Sequence, residues 1–308
     1  MSELGKSPAR VNIYDAISAN RVRTIVLLAL FIAFVAALGY LLGEMWYPGG
    51  GFAVLPFALV FAIGSALFSY YAGDQMVLAQ SQARELGPSE EPELRHSVEE
   101  LAIGLGIPMP KLYVVEAAAP NAFATGRDPK HASVAVTRGL LNMMDREELQ
   151  GVIAHELSHV GNRDIRVMLL ITVLVGTVAL IADWILRSVF WGGGRRGRDR
   201  GSGGAILLVI GLVLAILTPI VAALIQMAVS RQREYLADAS GALLTRYPPG
   251  LARALRKIAG DPNALHVANK ATAALYIANP LKDDPAFLDH LFDTHPPIEE
   301  RIRRLEAM

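Results

Sequence analysis

Four stretches of the chain are apolar for long enough to cross a bilayer, which takes about 20 residues. Thr24 to Gly43 and Gly51 to Tyr71 carry no charge. A third opens at Val167, meets Asp183 and extends to about Phe190. The fourth, Ala205 to Val229, is uncharged and contains Pro219, a kink that a helix in lipid tolerates. The segments come as two pairs, so the pattern predicts two hydrophobic helical hairpins. A buried helix of a soluble core is the other reading of each, and it weighs most on the third, whose clean apolar run is short.

The charges flanking these segments set an orientation. Lys6, Arg10, Arg21 and Arg23 precede the first, whereas the turn from Glu44 to Gly50 has no basic residue. The positive-inside rule therefore puts the N-terminus in the cytoplasm and returns Gly73 to Arg166 to that side. The first segment has no small-residue cleavage site and exceeds a signal-peptide core, which makes it a retained anchor. One loop conflicts with this scheme. Gly192 to Gly204 carries Arg195, Arg196, Arg198 and Arg200, and it would face outward if the second pair crossed fully. Either the rule is broken there, or that hairpin enters the bilayer without crossing it.

The polar remainder alternates like a folded domain. Leu94, Val98, Leu101 and Leu105 give the stretch from Pro92 one buried helical face. Lys111 to Glu116 and Ser133 to Thr137 have the composition of strands. Asp145 followed by Glu148 is a capping box, so a helix should start near Arg146. From Ser230 onward the chain reads as mostly helical, and its last helix carries Ile298, Ile302 and Leu305 on one face. The expected organisation is a membrane region over 1–72, a first catalytic part over 73–165, a second hydrophobic hairpin over 166–229 and a second catalytic part over 230–308. The fold class is an α-helical membrane anchor with four hydrophobic segments in two hairpins, joined to a mainly α, α+β, zincin-like domain.

Composition supports this reading and narrows the chemistry. Apolar residues make up 53% of the chain and charged residues 19%, as expected of a membrane protein. Basic and acidic residues balance at 29 each, which leaves no basic excess for nucleic acid. With no cysteine, thiolate metal sites and cysteine nucleophiles are excluded.

The helix expected from Arg146 contains His155-Glu156-Leu157-Ser158-His159. Histidines four apart lie on one helical face and can share one zinc ion, and the intervening glutamate can act as general base on a bound water. A catalytic zinc usually has a third protein ligand. Glu234, in Ser230-Arg-Gln-Arg-Glu-Tyr-Leu-Ala-Asp238, is the best carboxylate, although spacing leaves several others open. Asp238, one turn on, could accept the second ring N–H of a liganding histidine. Polar residues flank the motif on both sides, placing the site outside the hydrocarbon core and arguing against an intramembrane protease. A membrane metal transporter or metal sensor is the rival from another class.

These motifs together resemble the HtpX family of membrane zinc metallopeptidases, relatives of the CAAX prenyl endopeptidases. The likeness rests on His155 to His159 followed by Gly161-Asn-Arg-Asp164, on Ser230 to Asp238, on Asn121-Ala-Phe-Ala-Thr-Gly126 and on Thr294-His-Pro-Pro297. It implies one zinc ion per chain, held by His155, His159 and Glu234, with Glu156 as the base. It implies that Asp164 supports the ligands and that Asn121, Ala122 and Phe123 border a cleft where extended substrate pairs, an ordinary turn being the alternative. His295 would stabilise the oxyanion, or else be a plain surface histidine. His96, His131, His266 and His290 match no motif. The resemblance further implies polypeptide substrates, chiefly damaged or misassembled membrane proteins, a stress-response role and a multi-pass location in the inner membrane.

Overall fold

A computed structural model describes residues 13–46, 48–192, 231–263, 265, 268, 272–278, 280 and 296–308. The fourth hydrophobic segment, most of the Arg- and Gly-rich loop and His295 lie outside the described residues.

The first two hydrophobic segments form helices α1 (Ile13–Trp46) and α2 (Gly50–Gln80). Within them, Ser18–Glu44 and Gly50–Gln80 are long and apolar enough to cross a membrane, and large apolar side chains such as Phe57, Val60 and Phe61 are exposed along α2. Small residues let the two helices close on each other: a Cβ at Gly39 would lie 2.3 Å from that of Ala58. Helix α2 runs on past the expected boundary at residue 72. Its 31 residues span about 46 Å, more than a hydrocarbon core of about 30 Å. The surplus turns are bound to the polar domain, where Val77 and Leu78 are buried against Tyr113 and Phe123.

That domain is built on a four-stranded sheet of β1 (Arg84–Glu85), β2 (Lys111–Val115), β3 (Ala122–Gly126) and β4 (Ala132–Thr137), in the order β1-β2-β4-β3. β2 and β4 run parallel, and both outer strands pair antiparallel. Alternation divides the side chains between two cores. Leu112, Val114, Ala124, Val134 and Val136 face α3 (Pro92–Leu105) and α5 (Arg146–Gly161), the latter preceded by the short α4 (Arg138–Met143). Tyr113, Val115, Phe123 and Ala135 face the end of α2 and the start of α6 (Asp164–Gly192). Burial on both faces explains why these strands read as continuous apolar runs.

Helix α5 begins where the capping box puts it: the Asp145 carboxylate accepts from the Glu148 N–H at 2.8 Å, and Glu148 reciprocates. Helix α6 departs from the sequence expectation. It starts at Asp164, so the proposed boundary at 166 falls inside it, and residues Val167 to Val175 are buried in protein. Its apolarity there serves a core. Beyond α6 the chain is described again at α7 (Arg231–Thr245) and α8 (Pro248–Gly260), which pack behind α5, and at α9 (Ile298–Glu306), which packs on α7 and α8.

The contact of α5 with α8 requires a glycine. A Cβ at Gly151 would sit 2.6 Å from the Leu251 backbone nitrogen. Gly151→Ala should lower stability by about 1–3 kcal/mol in thermal melts of the detergent-purified protein. Gly161→Ala, whose Cβ would meet nothing within 4 Å, should change it far less.

Candidate metal centre

His155 and His159 project from adjacent turns of α5, and both are buried. Their Nε2 atoms lie 3.2 Å apart. Glu234, on the first turn of α7, brings Oε2 to 3.6 Å from the first and Oε1 to 3.5 Å from the second. Two ring nitrogens and a carboxylate oxygen thus converge within 4.8 Å of one another. Ligands on a tetrahedral zinc, with bonds of about 2.0–2.1 Å, stand about 3.4 Å apart. The donor set therefore fits a single metal ion.

The remote ring nitrogens are also held. Asp238 Oδ1 lies 2.9 Å from His155 Nδ1, and Asp164 Oδ2 lies 3.1 Å from His159 Nδ1. Carboxylates at both Nδ1 atoms direct both N–H groups away from the centre, leaving the Nε2 lone pairs facing inward. Burial alone would raise the Asp238 pKa, but Arg301 and His155 outweigh it and hold the carboxyl at about 2.

Arg301 was not singled out in the sequence. It is fully buried on α9, donates to both oxygens of Asp238 at 2.9 and 2.7 Å, and reaches the Ile277 carbonyl at 2.8 Å. A signal was available, because Arg301 lies on the same helical face as Ile298, Ile302 and Leu305. An arginine on an otherwise apolar stripe needs a buried acceptor.

Glu156 is buried beside the ligands, and the Ala124 backbone N–H faces it and favours its charged form. Burial pushes its pKa up to about 7, opposed in part by both histidines, before any ion's charge is counted. Ala124 brings β3 into the site. Phe123 is turned towards β4 in the antiparallel ladder, so the backbone groups of Ala122 and Ala124 point outward.

The three residues expected to border the cleft are more enclosed than that expectation implies. Asn121, Ala122 and Phe123 are all buried. Asn121 Nδ2 donates to the Ala278 carbonyl at 3.2 Å, the Ala122 carbonyl accepts from the Ile277 N–H at 3.0 Å, and Phe123 packs edge-on against Tyr276. The side chains brace the strand, which is buried throughout from Ala122 to Gly126.

Comparison with known proteins now decides the family. The model of peptidase family M48 matches residues 88–308. The chain belongs to peptidase family M48. It is 45% identical over 298 residues to a protease HtpX homolog of Caldanaerobacter subterraneus, covering 96% of this chain and 98% of that one. It is likewise 45% identical over 295 residues to a protease HtpX homolog of Tropheryma whipplei, covering 96% and 98%. Among solved structures, that of S. mikatae Ste24p is similar over 94% of this chain and 66% of its own length, at 22% identity and a TM-score of 0.49. The chain is a membrane-anchored metallopeptidase, as the sequence led one to expect.

For this peptidase, removing Arg301 would strand the buried Asp238 charge. Arg301→Ala should cost about 3–5 kcal/mol in denaturant unfolding. Arg256→Ala, which breaks the half-exposed pair with Glu306, should cost less than about 1 kcal/mol.

Proposed function

We propose that the protein is a zinc endopeptidase that cuts extended polypeptide at the cytoplasmic face of the inner membrane, with damaged or misassembled membrane proteins as its substrates. The observation that carries this reading is the convergence of His155, His159 and Glu234 beside the buried Glu156. Imidazole and carboxylate donors without thiolates suit zinc, and four-coordination would leave one position for water or substrate. When bound, zinc supplies Lewis-acid polarisation of the scissile carbonyl and activation of water.

The chain's own residues do the rest. Glu156 takes a proton from the attacking water and returns it to the leaving amine, a task suited to a carboxyl near neutrality. Asp238 and Asp164 keep the histidines in the tautomer that offers Nε2. Substrate pairs as an added strand along β3 from Ala124 onward, with Asn121, Ala122 and Phe123 bracing that edge. His295 stabilises the oxyanion. Its support is positional, since Pro296 and Pro297 lead into α9, whose Arg301 reaches the site.

The cytoplasmic placement rests on the charges. Arg21 and Arg23 lie at the end of α1 that meets the catalytic domain, and the turn at its far end has no basic residue. Arg127 and Arg166 cover the rings of Tyr71 and Tyr70 at about one membrane thickness from Gly50 along α2, as expected of an interfacial belt.

Glu156→Gln should retain stoichiometric zinc and lose at least ~10²-fold in cleavage of an unfolded reporter protein. Glu234→Ala should lose the zinc itself. Full cleavage by the first variant would refute the mechanism, and metal flux through vesicles carrying it would favour a transporter instead.

A further inference from the structure

The two histidines are supported in parallel ways from opposite ends of the chain. Behind His155 stands Asp238, and behind Asp238 stands Arg301 near the C-terminus. Behind His159 stands Asp164, and behind Asp164 stand Arg233 and, on the first membrane-length helix, Asn20. We propose that Asn20 is a positioning residue for the metal centre, acting on His159 through Asp164, so that α1 completes the site as well as anchoring it. The inference rests on the metal-site reading above.

Asn20 is only 2% exposed, though it is a polar residue on a helix apolar enough to cross a membrane. Such a residue is costly unless its amide is satisfied. Its Nδ2 donates to Asp164 Oδ1 at 2.6 Å and to the Asn162 carbonyl at 3.1 Å. The first bond is short and charge-assisted, the stronger kind. The second satisfies a carbonyl at the C-cap of α5, where no helical partner exists. Its Oδ1 faces Arg23 Nη1 at 3.4 Å, which fixes the orientation of the amide.

Both bonds converge on the elbow between α5 and α6. Arg163, at its apex, has φ of +60°, a left-handed conformation costly for a residue with a side chain. Asp164 follows it and is itself 1% exposed. Its two oxygens divide their work: Oδ2 meets His159, while Oδ1 takes Asn20 and lies 3.5 Å from Arg233. A carboxylate turns readily about its last torsion, so donors on Oδ1 determine where Oδ2 points. Farther along α1, Phe31, Val35 and Leu38 pack with Leu174 and Val178 of α6, keeping Asn20 in register with Asp164. The HExxH reading offers no hint of this contact, because Asn20 and Asp164 are 144 residues apart.

The test uses the full-length protein in detergent micelles, with zinc affinity measured by chelator competition and geometry by the visible spectrum of the cobalt-substituted form. Asn20→Ala should weaken zinc binding about tenfold, the low end for residues that orient a ligand from behind, and shift the cobalt bands. Asn20→Leu keeps the volume and suits an apolar helix, so it should show the same loss even if the alanine variant folds poorly. In an Asp164→Ala background, Asn20→Ala should add less than about twofold, because the path to His159 is already cut. Thr24→Val, one turn along α1 and bonded among the described residues only to the Asn20 carbonyl, should bind zinc as wild type does. The proposal is overturned if the Asn20 variants keep wild-type affinity, if the double variant loses the product of the single losses, or if Thr24→Val shows the same defect. Failure of both Asn20 variants to fold would overturn it equally, assigning the residue to helix assembly. Wild type that takes up no zinc would instead sink the metal-site reading on which the inference rests.

Discussion

Two imidazole nitrogens held 3.2 Å apart in a dry interior, each with its lone pair towards the other, repel unless a cation lies between them. Keeping them there requires that both rings be turned from behind, which two carboxylates do. Asp164 and Asp238 supply that charge and are themselves buried, so each needs a donor that water cannot provide. Those donors come from α9 at one end of the chain and α1 at the other. The geometry of a motif spanning five residues therefore draws on helices from nearly the whole sequence. This explains why α7 packs against α5 while α9, packed on α7 and α8, sends Arg301 into the site, and why the elbow after α5 tolerates a left-handed arginine.

How much of this was legible follows from distance along the chain. The two histidines of the candidate metal centre lie on one face of one helix, so spacing and a capping box sufficed to place them. Glu234 lies 75 positions beyond His159, and spacing alone could not choose it among the acidic residues. Family resemblance chose it, and the geometry brings its carboxylate to both rings. Arg301 was hidden in plain view, on the face already read as apolar. Asn20 could not have been found, since nothing local marks an asparagine on α1 as facing the site. The strand β3 was missed because Ala-Phe-Ala-Thr-Gly has little β-branched character. Its small residues suit a strand buried on both faces and closed over by Tyr276 and Ile277.

The membrane reading shows a different limit. Hydropathy reports removal from water and cannot distinguish lipid from protein as the destination. Helices α1 and α2 expose their apolar side chains, as lipid-facing helices do. The start of α6 is equally apolar, yet Val167, Leu170 and Leu174 are buried in the protein. The third segment thus begins as a core helix, which accounts for its short uncharged run and for Asp164 at its head. The domain divisions read from composition cut across α2 and α6 for the same reason, since both helices run into the packing around the sheet.

That dual service has a mechanical consequence. A helix that is continuous from the bilayer into a close-packed core cannot tilt or slide at one end without moving the other. α2 ends against Tyr113 and Phe123, and Phe123 belongs to the strand whose next residue faces Glu156. α6 begins with the carboxylate that turns His159, and α1 lies beside it. All three described hydrophobic helices therefore terminate within one or two side chains of the chemistry. The two membrane-length helices and the candidate metal centre are one packed unit, so a displacement of those helices would be felt at His155, His159 and Glu234.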